Sequence, residues 1–437
     1  MSEPQRESLE IDVVFAGGGP AGLAGSYHLA KLVERHNEVA ASKLDVSIAL
    51  LEKGKEIGSH ILSGAVVDPA AFKELYEDWR SAPFEAPVGR EQLLWMTPKR
   101  SVSMPIPPPL ENDGKYVASL GKLAKWMAAK CEDAGVDIFC EFPAAEVLAD
   151  EKSGRVTGVR TGDRGIGHDG KRKANFEPGV DIMTRALILA EGARGTLAKR
   201  LEKKHDLTAG KNPQVYAIGV KEVWELPPGR IEPGEIAHTM GWPLDSSTYG
   251  GGFVYGMKDD LLIAGLVVGL DYRNPRLDPH QEFQRFKTHP SMAALLEGGK
   301  MAYYGAKAIP EGGWFSMPRS WGDGFLITGD SLGVLNSMRL KGIHLAMKSG
   351  MLAAETVFEG LVADDLGVER LSRFEDKIAA SWIKKELWEV RNFHQAFDRG
   401  MLAGMFQAGV GMLTNGAGFG LFNRLRSHPG HERMRPL

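Results

Sequence analysis

Residues 11 to 16, IDVVFA, form an apolar, β-branched run of strand length, and after Pro20 the apolar positions change to a helical spacing that continues to about Arg35. This predicts a β–turn–α unit. A second strand is predicted at 46 to 53 (VSIALLEK), then an amphipathic helix over LGKLAKWMAAKCEDAGV and a third strand at VDIFC, so that parallel strands are implied. Residues 144 to 161 predict a hairpin turning at Ser153-Gly154, and RALILAEGARG at 185 to 195 returns to the sheet. Between about 214 and 310 the texture becomes β-rich (QVYAIGVKEVW, GGFVYGM, LLIAGLVVGL), which predicts an inserted sheet domain over a ligand pocket. FLITGDSLG at 325 to 333 reads as the last strand of the first domain, a helix follows at roughly 342 to 358, and the chain reads as helical from about 366. The expected fold is α/β (α+β overall). It comprises a discontinuous nucleotide-binding domain (1–213 and 311–365), a β-rich domain (214–310) and a C-terminal helical segment (366–437).

Composition narrows the classes. The 437 residues carry 53 Lys+Arg against 56 Asp+Glu, a formal net charge of −3 with the signs interspersed, which excludes general nucleic-acid binding. Cys131 and Cys140 are the only cysteines, too few for a disulfide framework or for the four thiolates of an iron–sulfur cluster. No metal-ligand spacing, internal repeat or low-complexity tract is present. The polar start, MSEPQRESLEIDVV, lacks the features of a secretory or transit sequence, and a bacterial-type cytoplasmic protein is expected.

Gly17-x-Gly19-x-x-Gly22 lies between a strand and a helix, the context of a dinucleotide fingerprint. Gly17 permits the tight turn, Gly19 lets the backbone approach a pyrophosphate, and Gly22 lets the helix pack on the strand. Pro20 and Ala21 fall in the first helical turn, where proline is favoured. Glu52, at the end of the second strand, is the acid expected on a ribose hydroxyl. It lies 30 residues beyond Gly22 (52 − 22), an excess over the usual ~20 that the polar loop ERHNEVAASK absorbs. In GFLITGDSLG, Gly329-Asp330 follows a strand and precedes a helix, where the carboxylate would reach a ribityl chain; a simple helix cap is the alternative. With AEGARG at 190 to 195, these stretches resemble the three-part signature of the FAD-binding family that includes p-hydroxybenzoate hydroxylase-like enzymes. That resemblance implies a Rossmann-like FAD domain.

Longer blocks narrow the resemblance. EKGKEIGSHILSGAVVDPAAFKEL, HTMGWPLDSSTYGGGFVY, LVVGLDYRNPRLDPHQEFQRFKTHP, LEGGKMAYYGAKAIPEGGW and KGIHLAMKSGMLAAE resemble electron transfer flavoprotein–ubiquinone oxidoreductase over nearly the whole chain. The resemblance implies an FAD enzyme that takes electrons from reduced electron transfer flavoprotein and passes them to ubiquinone at a membrane. By position, residues 13 to 27 would hold the FAD, and the implied cofactor residues are Gly17, Gly19, Pro20, Ala21, Gly22, Glu52, Gly329, Asp330, Asn336 and Gly342. Gly250 and Gly251 match the glycine pair of the quinone site, with a strand bulge at 250 to 252 as the alternative. Electron transfer needs no general base, so no catalytic acid/base residue is assigned, and His60 and His344 read as packing or hydrogen-bonding residues.

Two departures stand out. The family's ferredoxin-like domain with its 4Fe-4S cluster has no counterpart cysteines here, which favours a separate ferredoxin-like partner over direct electron entry or a truncated sequence. Ile343 stands where threonine is expected near the flavin ring.

From Gly400 to Asn423 the chain carries no charge, but Thr414-Asn415-Gly416 interrupts the run. Leu402, Phe406, Val410 and Leu413 share a helical face flanked by Arg399, Arg424 and Arg426, which predicts a monotopic surface contact rather than a span. SMPIPPPL at 103 to 110 is a second membrane-proximal candidate, and the expected location is the cytoplasmic face of a bacterial inner membrane. Trp382 and Trp388, beside Lys384 and Lys385, read as core residues. The competing classes are an NAD(P)H-dependent flavoprotein monooxygenase or isoprenoid double-bond reductase, and a non-catalytic electron-transfer subunit.

Overall fold

The apolar runs at 13–16 and 48–51 are buried because they form the middle of a six-stranded sheet. The computed structural model describes residues 4–61, 64–418 and 423–436. The strand order is Trp321–Gly322, Phe325–Ile327, Ala186–Leu189, Val13–Ala16, Ile48–Glu52 and Asp137–Cys140, with parallel pairing except at the 321–322 edge. Strands buried on both faces need continuous apolar sequence, and these have it. The helix Pro20–Val39 runs one turn beyond the predicted end. Asn37 then ties the following loop, its amide donating to the Leu44 carbonyl and accepting from the Leu44 N–H, both at 2.7 Å. The helix Ile343–Val362 packs against it at Gly25 and Gly350, where a Cβ on Gly350 would run into the Ala21 carbonyl oxygen. The hairpin predicted at 144–161 is present as Ala144–Ala149 paired with Val156–Thr161, in a smaller four-stranded sheet.

A seven-stranded sheet forms the second unit, in the order Lys300–Pro310, Tyr216–Glu225, Leu261–Gly269, Gly250–Gly256, Ile236–Gly241, Glu91–Met96 and Ser101–Met104. One face is covered by the helices Pro279–Lys287 and Pro290–Leu296, which insert Phe283, Phe286, Met292 and Leu296. The opposite face buries Val223, Ile236, Phe253, Tyr255 and Ile263 against Val66 and Val117, which belong to a small sheet between the two units. The span 214–310 therefore does not enclose this sheet, since residues 91–104 supply two of its strands. Their attachment is the parallel pairing of Ile236 with Glu91 through Gly241 with Met96, a non-local contact that leaves no local pattern.

The C-terminal helices are Val368–Ala380, Trp382–Glu389, Phe393–Ala396 and Met401–Leu413. Helix does not continue to the end as predicted. Asn415 and Gly416 take left-handed backbone (φ 49° and 77°), and beyond them only a 3₁₀ turn at Gly430–Arg433 is regular among the described residues. A buried charged cluster fastens this segment to the large sheet. The His394 ring lies between Glu311 (3.2 Å) and Asp271 (3.3 Å), and Arg433 pairs with Asp271 and Asp398. Burial alone would lower the His394 pKa, but the hydrogen bonds and charges of Asp271 and Glu311 outweigh it and raise it to about 9.

Candidate functional site

The strand Val13–Ala16 ends at Gly17, whose φ of +124° turns the chain toward the helix; a Cβ there would enter the Ala190 carbonyl. A Cβ on Gly22 would likewise strike the carbonyl oxygen of Gly17, so the first helical turn sits against the strand end only because residue 22 is glycine. Gly19 differs, because no atom lies within 4 Å of its Cβ position and its side faces open space. Pro20 and Ala21 open the helix, which leaves its first N–H groups free to face an anion. Glu52 reaches this loop, its carboxylate accepting from the N–H of Gly18 (3.2 Å) and of Gly54 (2.6 Å), with His60 at 3.4 Å.

The distal motif comes to the same place. A Cβ on Gly329 would lie 2.9 Å from the Cβ of Ala21, which puts Gly329-Asp330 beside the first turn of the fingerprint helix, and Ser349 accepts the Gly329 N–H at 2.9 Å. The Asp330 carboxylate accepts no hydrogen bond among the described residues, and burial raises its pKa to about 6. Glu191 of AEGARG instead caps a protein helix, accepting from the N–H groups of Thr196, Leu197 and Ala198. Asn336 is buried and donates to Glu386 (3.0 Å), while Gly342 is the N-cap of the helix Ile343–Val362. Ile343 is the first residue of that helix. His344 stacks on Trp382, with rings 5.5 Å apart, and bonds Glu386 at 3.0 Å, in keeping with a packing residue.

Gly250, Gly251 and Gly252 lie in an unbroken ladder opposite Val268, Val267 and Leu266, so the bulge alternative does not hold. They line a largely apolar cavity together with Leu93, Ile106, Leu110, Phe397 and Met401. Small residues are also required by crowding, since a Cβ on Gly251 would approach the Thr239 carbonyl oxygen at 2.5 Å.

The sheet face turned toward the nucleotide unit carries polar residues that no motif announced. Lys221 is half-buried, donates to the Gly64 carbonyl at 3.1 Å and pairs with no carboxylate among the described residues; loss of solvation lowers its pKa to about 8. The alternation in VKEVW, which sets Lys221 on the same face as Val223, is the signal that would have found it. Lys341, two residues before Ile343, is buried and also lowered to about 8. Glu91 and His238 stand in the cavity wall.

On the helix Met401–Leu413, Leu402, Phe406 and Leu413 are exposed (78, 77 and 87 %) and Val410 is half-buried. Pro109 lines one groove with Gln407, Ala408, Gly411 and Met412, so the 103–110 segment adjoins this helix. Residues 419–422 of the uncharged run lie outside the described residues. No helix among those described is long and apolar enough to cross a membrane. Trp382 packs at the margin of the core, but Trp388 is exposed rather than buried and flanks Lys384 on one side, with Trp314 on the other.

Residues 216–309 match the family model described as ETF-QO, ubiquinone-binding. The chain is 45 % identical over 408 residues to the mitochondrial electron transfer flavoprotein-ubiquinone oxidoreductase of Arabidopsis thaliana, covering 92 % of this chain and 62 % of that protein. With the protein of the same name from Oryza sativa it is 43 % identical over 404 residues, covering 92 % and 68 %. The chain thus spans about two thirds of the length of these relatives. Among solved structures, the flavin-dependent brominase Bmp2 has a similar fold, with a TM-score of 0.61 at 17 % identity over 94 % of each chain.

Proposed function

Because this chain belongs to the electron transfer flavoprotein–ubiquinone oxidoreductase family, we propose that it passes electrons from reduced electron transfer flavoprotein to ubiquinone through bound FAD. The observation that carries this reading is the apolar cavity at Gly250 and Gly251, inside the segment matched by the ubiquinone-binding model.

The residues fit an FAD. The open side of Gly19 and the free N–H groups of the first helical turn suit its pyrophosphate, and Glu52 is placed for a ribose hydroxyl. Asp330, a half-buried acid without a hydrogen-bond partner among the described residues, suits a polyol chain, and Lys221 is a half-buried cation without a counter-ion among them. FAD supplies the capacity to receive and release electrons one or two at a time. The chain's part is to hold it, exclude water and place the quinone, through the glycine cradle and the apolar cavity wall. Two cysteines cannot assemble a four-thiolate cluster, so a 4Fe-4S group, where it takes part, is held outside these residues, and a ferredoxin-like partner suits that role.

The apolar lining residues Ile106, Leu110, Phe397 and Met401 include the first residue of the exposed helix Met401–Leu413 and suit an isoprenoid tail arriving from lipid. This supports monotopic attachment to a membrane, for which we propose the cytoplasmic face of a bacterial inner membrane. Phe406→Asp with Leu402→Asp is expected to weaken binding to phosphatidylglycerol vesicles at least about tenfold, from the loss of two exposed apolar side chains. Unchanged vesicle flotation would place the membrane contact elsewhere. For the activity, FAD-loaded protein with reduced electron transfer flavoprotein, with or without an added ferredoxin, is expected to reduce ubiquinone-1. Rapid NADPH oxidation with no quinone reduction would overturn it.

A further inference from the structure

Converting ubiquinone to ubiquinol adds two protons as well as two electrons, and an electron donor accounts only for the second. The cavity beside Gly250 and Gly251 is walled mainly by apolar groups, and its ionisable lining side chains are Glu91, His238, Tyr249 and Arg339. A guanidinium does not give up its proton in proteins, which sets Arg339 aside as a donor. The Tyr249 hydroxyl is held well above the usual tyrosine range, by burial and then by the Glu311 and Asp271 carboxylates. Glu91 and His238 remain.

Strand register puts these two on the quinone side. Glu91 is paired with Ile236, Leu93 with His238, and His238 with Phe253. Side chains alternate along each strand, so Glu91, His238, Gly251, Phe253 and Tyr255 share one face, the face turned to the nucleotide unit. The Glu91 carboxylate accepts the Asn112 backbone N–H at 2.9 Å and also the Asn112 side-chain amide, which fixes its direction. His238 Nδ1 lies 3.9 Å from Glu91 Oε1, and its Nε2 lies 3.0 Å from the Tyr255 hydroxyl. The Glu91 side chain is 13 % exposed and that of His238 18 %, so water reaches both.

Resting on the quinone reading above, we propose that Glu91 is the proton donor to ubiquinone in this cavity, and that His238, held by Tyr255, positions Glu91 and returns protons to it. In each transfer the Glu91 carboxylate first takes up a proton, and that O–H bond then breaks as an O–H bond to a reduced quinone oxygen forms, which returns the carboxylate. Water at the cavity mouth, directly or through the imidazole, restores the proton. The cycle runs twice for each quinol, while both electrons come from the reduced donor. His238 suits the relay because it is neutral: burial first, and then the Lys341 charge, lower its pKa to about 4. A neutral imidazole has one N–H and one free lone pair, so it accepts on one side and donates on the other. The charged neighbours are Lys341, which interacts electrostatically with both residues, and Arg339 in the cavity wall.

The test separates proton from electron delivery. FAD-loaded chain is reduced photochemically and mixed with ubiquinone-1 or with ferricenium, which takes an electron and no proton. Glu91→Gln keeps the shape of the side chain and is expected to slow the ubiquinone reaction about a hundredfold while the ferricenium reaction stays within about twofold. Glu91→Asp should recover part of the loss, and the wild-type ubiquinone reaction should be slower in D₂O. Should Glu91→Gln fold poorly, as judged by FAD content, His238→Asn is the second variant, with the same split between acceptors. Ubiquinone reduction at the wild-type rate, or equal slowing with both acceptors, overturns the proposal. Wild-type protein that reduces ferricenium but not ubiquinone overturns the quinone reading itself, and the proposal with it.

Discussion

Gly19→Ala should purify as a folded chain that has lost its flavin. The Cβ position at residue 19 meets no atom within 4 Å, so the apoprotein has no cause to melt earlier than wild type. That open side is where a pyrophosphate would approach the backbone, and a methyl group there keeps it at a distance. Gly22→Ala should behave differently, because its Cβ strikes the Gly17 carbonyl oxygen and the helix must move off the strand. Overpacking of this kind costs about 1 to 3 kcal/mol, equivalent to roughly 5- to 150-fold in FAD affinity, with a lower melting temperature as well. The measurements are FAD content by absorbance, the Kd of apoprotein for FAD, and apoprotein melting. A Gly19→Ala protein that retains FAD at wild-type affinity would remove the cradle from this loop.

His394→Leu should be the most destabilising single change outside the cofactor cradle. Removing the imidazole leaves Asp271 paired with Arg433 and Glu311 buried with no cation partner among the described residues, and losing one partner of a buried ionic group costs about 3 to 5 kcal/mol. The loss should appear as a lower urea midpoint with an unchanged slope. The same cluster sets a pH dependence. The folded pKa of His394, about 9, is raised above its ordinary 6.5, so its stabilisation is fully present below about pH 6.5 and disappears as the pH rises through about 9. Wild type should therefore lose stability between these limits and His394→Leu should show a flatter profile. A parallel decline in both proteins would assign the alkaline loss to other groups.

Much of the nucleotide unit was legible because its signals are local. A buried parallel strand needs a continuous apolar run, and a glycine that faces a carbonyl has no substitute, so IDVVFA and Gly17 to Gly22 could be read without knowledge of the rest. The large sheet was only partly legible. Its central strands announced themselves, but the 91–104 hairpin depends on a partner at 236–241 that the local sequence does not name. The polar residues of the cavity face were hidden for a related reason. Lys221, Glu91 and His238 occupy ordinary alternating strand positions, and what makes them unusual is the burial imposed by the facing unit. The helical reading past Leu413 failed among the described residues because Asn415 and Gly416 take left-handed backbone that ends the helix, and Pro429 interrupts the charged tail.

The borrowed hairpin also limits how the molecule can move. The chain passes between the two sheets near residues 88–91, 104–116, 213–216 and 310–312, and Glu91–Met96 is stitched to Ile236–Gly241 by a parallel ladder. A hinge that swung the units apart would have to bend at all these crossings together while the apolar layer around Val66, Val117 and Phe253 opened. Wide clamshell opening is therefore closed to this architecture. Traffic into the cavity is left to small displacements where the helix Met401–Leu413 and the segment around Pro109 meet, so the gate and the membrane contact we propose are the same piece of protein.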